Sequence, residues 1–293
     1  MIEARSPERS QQIFDEEYHA NRRIRVPHAH ITPLLTAFQY GDTRWCLLFP
    51  WADGGSLREL WRDIQPPRPV WCSADWLRAQ CLGISQGLLH MHQPPETQDG
   101  GVSQLHADIK PENILCFSTA PSSGGSFVLK LADLGLAQPA EGGYLATSKI
   151  KHTLTYRPPE QDLGGPGASL KWDVWCLGCL FLEFITWFVQ GTRGVEDFQT
   201  VRESEQDDPR ASETETRTFE DKFFRIKISN RILSRVPGVD VKKSARVKKC
   251  VASMDPRCSS DLCNILDFIE SSMLAVDDHN RSNMEQVVEH LQA

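Results

Sequence analysis

The sequence predicts an α+β chain in which helices dominate, and three patterns carry that expectation. Residues 74–92 place Trp76, Leu77, Cys81, Leu82, Ile84, Leu88 and Leu89 at helical spacing, the signature of an amphipathic helix. Trp175–Val189 is an apolar stretch interrupted by Glu183 and reads as a helix buried on all sides. Short runs at 31–39, 44–50 and 127–132 read as strands set off by turn residues.

Taken in order, residues 12–24 carry Ile13, Phe14, Tyr18 and Ile24 at offsets compatible with one helical face. The strands at 31–39 and 44–50 are joined at Gly41-Asp42, a turn dipeptide. Asp53-Gly54-Gly55-Ser56 then breaks the chain, with Ser56 as N-cap of a helix through Leu57, Leu60 and Trp61. The helix at 74–92 follows, and the Pro/Gly/Gln-rich stretch 93–103 reads as a surface insertion. Ser122–Ser126 marks a turn ahead of the strand at 127–132.

Beyond the buried helix, 191–221 is polar, with acids at Glu203, Glu205, Asp207, Asp208, Glu213 and Glu215, and is expected to be a solvated loop. The basic run Lys242, Lys243, Arg246, Lys248 and Lys249 is expected to be a solvated helix face rather than a nuclear-import or anion-binding patch. Helices near 260–274 and 283–291 close the chain, and no internal repeat is visible.

Composition narrows the class. A chain of 293 residues with 40% hydrophobic content can form one large domain or two small ones. A net charge of −7 disfavours broad binding to nucleic acid. The first 25 residues are rich in Glu, Arg and Gln, unlike a secretory leader. The nine cysteines are odd in number and scattered. Together these predict a reducing intracellular compartment, cytoplasmic or nuclear, with thiols packing as small hydrophobes. Cys176-x-x-Cys179 lacks a second ligand pair and is expected inside the buried helix rather than on a metal. The same stretch falls short of the roughly 20 apolar residues that span a bilayer, so no membrane contact is expected.

The chemistry concentrates in His106-Ala107-Asp108-Ile109-Lys110-Pro111-Glu112-Asn113-Ile114-Leu115, followed by Asp133-Leu134-Gly135. An acid, a lysine and an amide stand at short offsets on one loop, and a second acid stands on another. Phosphoryl transfer needs that set. Asp108 would orient or accept the proton of a hydroxyl, Lys110 would neutralise charge on the moving phosphate, and Asn113 with Asp133 would offer oxygen ligands to Mg²⁺.

This run, with Thr153-Leu-Thr-Tyr156-Arg-Pro-Pro-Glu160 and Lys171-Trp-Asp173-Val-Trp behind it, resembles a eukaryotic Ser/Thr protein kinase domain, and the likeness covers roughly residues 12–291. The resemblance implies a kinase-like fold with a mostly helical large lobe at 53–293, carrying inserts at 93–103 and 191–221. It also implies a truncated small lobe at 1–52. It implies ATP and Mg²⁺ as cofactors and a protein as substrate, with no specific nucleic acid; oligomeric state stays open. Phe49 would be the gatekeeper, Pro50 and Ala52 would present backbone groups to the adenine edge, and Leu115 would floor it. Thr153 would contact Asp108 and Lys110. Glu160 would pair with Arg281, Asp173 would anchor the catalytic loop, and Glu17 would match the glutamate that pairs with the family's phosphate-holding lysine.

Departures accompany the likeness. The first glycine is Gly41 and the first lysine is Lys110, so neither the Gly-rich loop nor that lysine has a counterpart ahead of the catalytic loop. Ala107 stands where an arginine usually precedes the aspartate, which speaks against switching by loop phosphorylation, and Leu134 replaces a phenylalanine. The expected function is ATP-dependent Ser/Thr phosphorylation of protein, impaired in the chain as written. The alternatives are an N-terminally shortened pseudokinase acting as an interaction module, and a small-molecule phosphotransferase of aminoglycoside-kinase type. Lys110-Pro111-Glu112 and the segment ending at Glu160 count against the last.

Overall fold

The computed structural model describes residues 7–41, 44–64, 68–95, 102–120, 125–140, 144–145, 154–163, 167–204, 221–227, 238–241 and 256–293. The architecture is mixed and mostly helical, in agreement with the expected α+β class. Helix α1 spans Pro7–Arg23. Strands β1 (Thr36–Tyr40) and β2 (Arg44–Leu48) pair antiparallel, with Thr36 opposite Leu48 and Tyr40 opposite Arg44. The turn between them opens at Gly41, whose φ of +62° is a left-handed conformation that glycine adopts without strain. Both strands are shorter than their sequence runs. Ile31 instead bridges Leu131, and the Thr32 amide donates to the Leu131 carbonyl at 2.8 Å, so this end of the run is tied to a different strand. At the other end, proline at position 50 has no amide to extend a ladder.

Helix α2 (Leu57–Asp63) starts at Ser56, whose hydroxyl accepts from the Glu59 amide at 3.3 Å while Glu59 Oε2 accepts from the Ser56 amide at 2.7 Å. This reciprocal box satisfies amides that a helix start leaves orphaned. Helix α3 (Ala74–His92) is capped by Ser73 and buries Trp76, Leu77, Cys81, Ile84 and Leu88. Gly83 is required there: a Cβ would lie 2.1 Å from the His30 ring, so the chain entering β1 packs directly on the helix backbone.

Strand β3 (Gln104–Leu105) pairs with β6 (Gln138–Pro139), and β4 (Ile114–Ser118) pairs with β5 (Phe127–Leu131), all antiparallel. The short helix α4 (Pro159–Leu163) leads to α5 (Lys171–Ser204), whose residues from Trp172 to Phe188 are almost all buried. Cys176 and Cys179 lie inside it, and burial pushes both thiols up, away from the thiolate that a metal would need. By length and composition α5 could cross a membrane, but 89% of its apolar window is buried within the protein, so its outer face meets protein.

The solvated loop expected over 191–221 is corrected by the structure over 191–204, while 205–220 lie outside the described residues. Helix continues through 191–204, with a break at Gly191 (φ +75°) that turns its second part back on the fold. Val195, Phe198 and Arg202 are buried there, as are Lys222, Phe223 and Phe224 beyond it. Strands β7 (Phe224–Lys227) and β8 (Gly238–Val241) form a separate hairpin. Helix α6 (Pro256–Phe268) runs into a wider turn at Ile269–Met273, and α7 (Met284–Gln292), boxed by Asn283 and Gln286, packs on α3. The basic run at 242–249 and residues 96–101 of the expected insertion lie outside the described residues.

Candidate active site

Asp173 organises the site from below. It sits in the first turn of α5, fully buried. Its Oδ2 accepts from the His106 amide at 2.7 Å and from His92 Nε2 at 2.9 Å, and its Oδ1 accepts from the Ala107 amide at 2.9 Å. Ala107 carries a φ of +70°, a left-handed conformation costly for a residue with a Cβ. The carboxylate therefore holds the loop in a shape it would not take alone.

That shape sets three side chains together. Lys110 Nζ lies 2.7 Å from Asp108 Oδ2, and Asn113 Nδ2 donates to the Asp108 carbonyl at 2.9 Å and to its Oδ2 at 2.8 Å. With both amide protons of Asn113 turned to Asp108, its carbonyl oxygen faces the other way. A 3₁₀ turn at Pro111–Asn113 links this loop to β4, where Leu115 is half-buried and bridges Ser56. At the end of β5 comes Asp133, exposed, at φ +60°. Its Oδ1 accepts from the Gly135 amide at 3.3 Å. An amide oxygen and a carboxylate are hard donors that suit Mg²⁺ better than a thiophilic metal, so the donor set fits the expected ion.

Glu17 reaches this site from α1. A Cβ added at Gly135 would lie 3.2 Å from Asp133 Oδ1 and 3.7 Å from Glu17 Oε2, so the two acids flank one glycine. Burial, and then the Asp133 charge, raise the Glu17 carboxyl from 4.5 to about 7. No lysine precedes Lys110 in the sequence. Because the folded state holds this proton more tightly than the unfolded chain, the stability it contributes is whole below pH 4.5. That contribution fades as pH rises through about 7. Glu17→Gln is accordingly expected to raise the melting temperature at pH 8 in metal-free buffer and to leave it unchanged at pH 4. An equal shift at both values would contradict the assignment.

Phe49, Pro50 and Ala52 follow β2 as half-buried residues of an extended linker, and between them Trp51 is 88% exposed. The Ala52 carbonyl already accepts from the Gly55 amide at 3.1 Å. Glu160 and Arg281 meet in a bidentate pair at 2.8 and 2.9 Å, and Arg281 also donates to the carbonyls of Lys171 and Ala275. Thr153 lies outside the described residues.

One group of residues escaped the sequence reading. Tyr156 O–H donates to Glu183 Oε2 at 2.6 Å, while Arg202 Nη2 donates to Glu183 Oε1 at 2.9 Å. Arg58 Nη2 donates to the Tyr156 hydroxyl at 3.1 Å, and its Nε donates to Glu112 of the Asp108 loop at 2.9 Å. A lone acid inside an apolar helix signalled that a cation must reach it, but nothing in the spacing told which one.

Comparison with known proteins agrees with this geometry. The family described as "Protein kinase domain" matches residues 1–291. Serine/threonine-protein kinase ppk23 of Schizosaccharomyces pombe is 40% identical over 82 residues, 28% of this chain and 19% of that protein. Cyclin-dependent kinase C-3 of Oryza sativa subsp. japonica is 44% identical over 81 residues, 28% of this chain and 23% of the relative. An Aurora kinase of Patiria pectinifera is 31% identical over 173 residues, 58% of this chain and 37% of the relative. The chain thus spans well under half the length of these relatives. A family match along nearly the whole chain, over a loop whose acid, lysine and amide converge, makes this a member of the protein kinase domain family.

Proposed function

We propose that the chain transfers a phosphoryl group from Mg-ATP to a serine or threonine hydroxyl of a protein inside the cell. We further propose that turnover is impaired in the chain as written. The observation that carries this reading is the convergence of Lys110 and Asn113 on the Asp108 carboxylate, on a loop held by Asp173. Asp108 orients the acceptor hydroxyl and takes its proton, and Lys110 offsets charge on the transferred group. Asn113 and Asp133 would hold Mg²⁺, which when bound would offset the charge of the phosphates. Phe49, Pro50, Ala52 and Leu115 would border the adenine, and Thr153 would serve the acceptor side. Glu160 with Arg281 fixes the segment that carries Thr153.

Impairment is supported by Glu17, whose carboxyl, buried and facing Asp133, is raised to about 7. The same observation favours a second reading, an interaction module that binds nucleotide weakly and does not turn over.

The test is thermal stabilisation by ATP, with and without Mg²⁺, of the wild type and of Asp133→Ala. A nucleotide at 100 times its Kd stabilises by about 2.7 kcal/mol, so a Mg²⁺-dependent shift is expected in the wild type and none in the variant. Equal stabilisation of both would remove Asp133 from the metal site. A wild-type shift without phosphotransfer would select the second reading.

A further inference from the structure

We propose that Arg202 is a positioning residue: with Asp221 it forms a clasp that seats Leu154–Leu163, the substrate-side end of the activation segment, against the catalytic loop. The inference rests on the kinase reading for its consequence but not for its geometry. Arg202 is 1% exposed, on the part of α5 beyond the Gly191 break. Its guanidinium carbon lies 4.5 and 4.2 Å from the centroids of the Phe198 and Phe223 rings, which meet edge to face at 78°, so both rings contact the cation. Nε and Nη2 donate to the two Asp221 oxygens at 2.7 and 3.2 Å, and Nη2 also donates to Glu183 at 2.9 Å.

Both ends of this clasp touch the activation segment. Through Glu183 it reaches the Tyr156 hydroxyl, and from there Arg58 and Glu112, a residue lying between Lys110 and Asn113. Through Asp221 it fixes its two neighbours. Lys222 Nζ lies 3.4 Å from Asp162, which Arg157 also grips at 2.7 and 3.0 Å, and the Phe223 ring packs 5.7 Å from Tyr156. Tyr156 and Asp162 bracket the segment, so one guanidinium sets the position of both. Glu183 needs this help because it is 1% exposed and Arg58 Nη2 lies 3.7 Å from it, beyond hydrogen-bonding range. The cation that fixes Glu183 is Arg202.

A merely structural arginine would loosen the whole fold when removed, whereas a positioning one would loosen this segment first. Hydrogen–deuterium exchange on the full chain separates the two. Arg202→Met is expected to speed exchange in 154–163 at least fivefold while 76–91 stays within twofold. Arg202→Lys, which can keep only one of the two carboxylates, is expected to fall between. If Arg202→Met does not fold, Asp221→Asn carries the test with the same expected pattern. Uniform loosening, or an unchanged 154–163, would overturn the proposal.

The functional arm uses myelin basic protein as acceptor. Arg202→Lys is expected to raise KM for that protein severalfold with KM for ATP unchanged, and equal changes in both would overturn the positioning role. If the wild type transfers no phosphate at all, the kinase reading fails, and the exchange arm still decides the clasp.

Discussion

Asp173→Ala is expected to cost the chain about 3–5 kcal/mol, the range for breaking a buried charge network by removing one member. The substitution strips acceptors from three buried donors at once: the His106 amide, the Ala107 amide and His92 Nε2. Each orphaned donor would carry a desolvation penalty of roughly 1–3 kcal/mol, and no water can reach them, since His92, His106 and Ala107 are all buried. The left-handed turn at Ala107 would also lose the carboxylate that accepts its amide. With an unfolding entropy near 2 cal/mol/K per residue, such a loss lowers the melting temperature by about 5–8 °C for a chain of 293 residues. Differential scanning calorimetry decides the matter. A drop below about 2 °C would mean that water or a rearranged loop satisfies those donors, and that Asp173 is not what holds the loop.

Much of this fold was readable because its signals are local. Ser56 and Glu59 sit three apart, and the box they form needs no information from elsewhere. Ser73 and the apolar spacing of 74–92 bound a helix whose observed limits are Ala74–His92. The short offsets from Asp108 to Asn113 likewise put three chemical groups on one loop, whatever the rest of the chain does. What escaped is long-range. Arg202 and Asp221 sit among polar residues, and composition alone makes that stretch look solvated. The overlooked signal was Val195, Phe198 and Arg202 at offsets of three and four, an apolar stripe ending in a cation. The acid at Glu183 announced a partner, but Arg58 and Arg202 lie 125 residues before and 19 after it, separations that no pattern links. The strand at 31–39 was overextended for the same reason, because Ile31 answers to Leu131.

Asp108→Asn carries the largest expected effect on chemistry. Loss of a positioned general base typically lowers turnover by about 10²–10⁴-fold, and that fall is expected here for phosphate transfer from labelled ATP to myelin basic protein. Affinity for ATP should stay within about twofold, because Asp108 faces Lys110 and Asn113 rather than the linker Phe49–Ala52. The substitution is nearly isosteric but not silent within the loop. Asp108 Oδ2 accepts from both Lys110 Nζ and Asn113 Nδ2, and an amide oxygen turned to that place can still accept from both but loses the charge that pairs with Lys110. Lys110→Met isolates that contribution, since it removes the ion pair and leaves the acid. If the carboxylate acts as base, Lys110→Met should lower kcat far less than Asp108→Asn, and the Asn variant should lose the rise of rate with pH. If Asp108 only anchors its neighbours, both variants would lose activity alike and keep the same pH profile. That outcome would leave the base unassigned and move Asp108 from the chemistry to the scaffold of the loop.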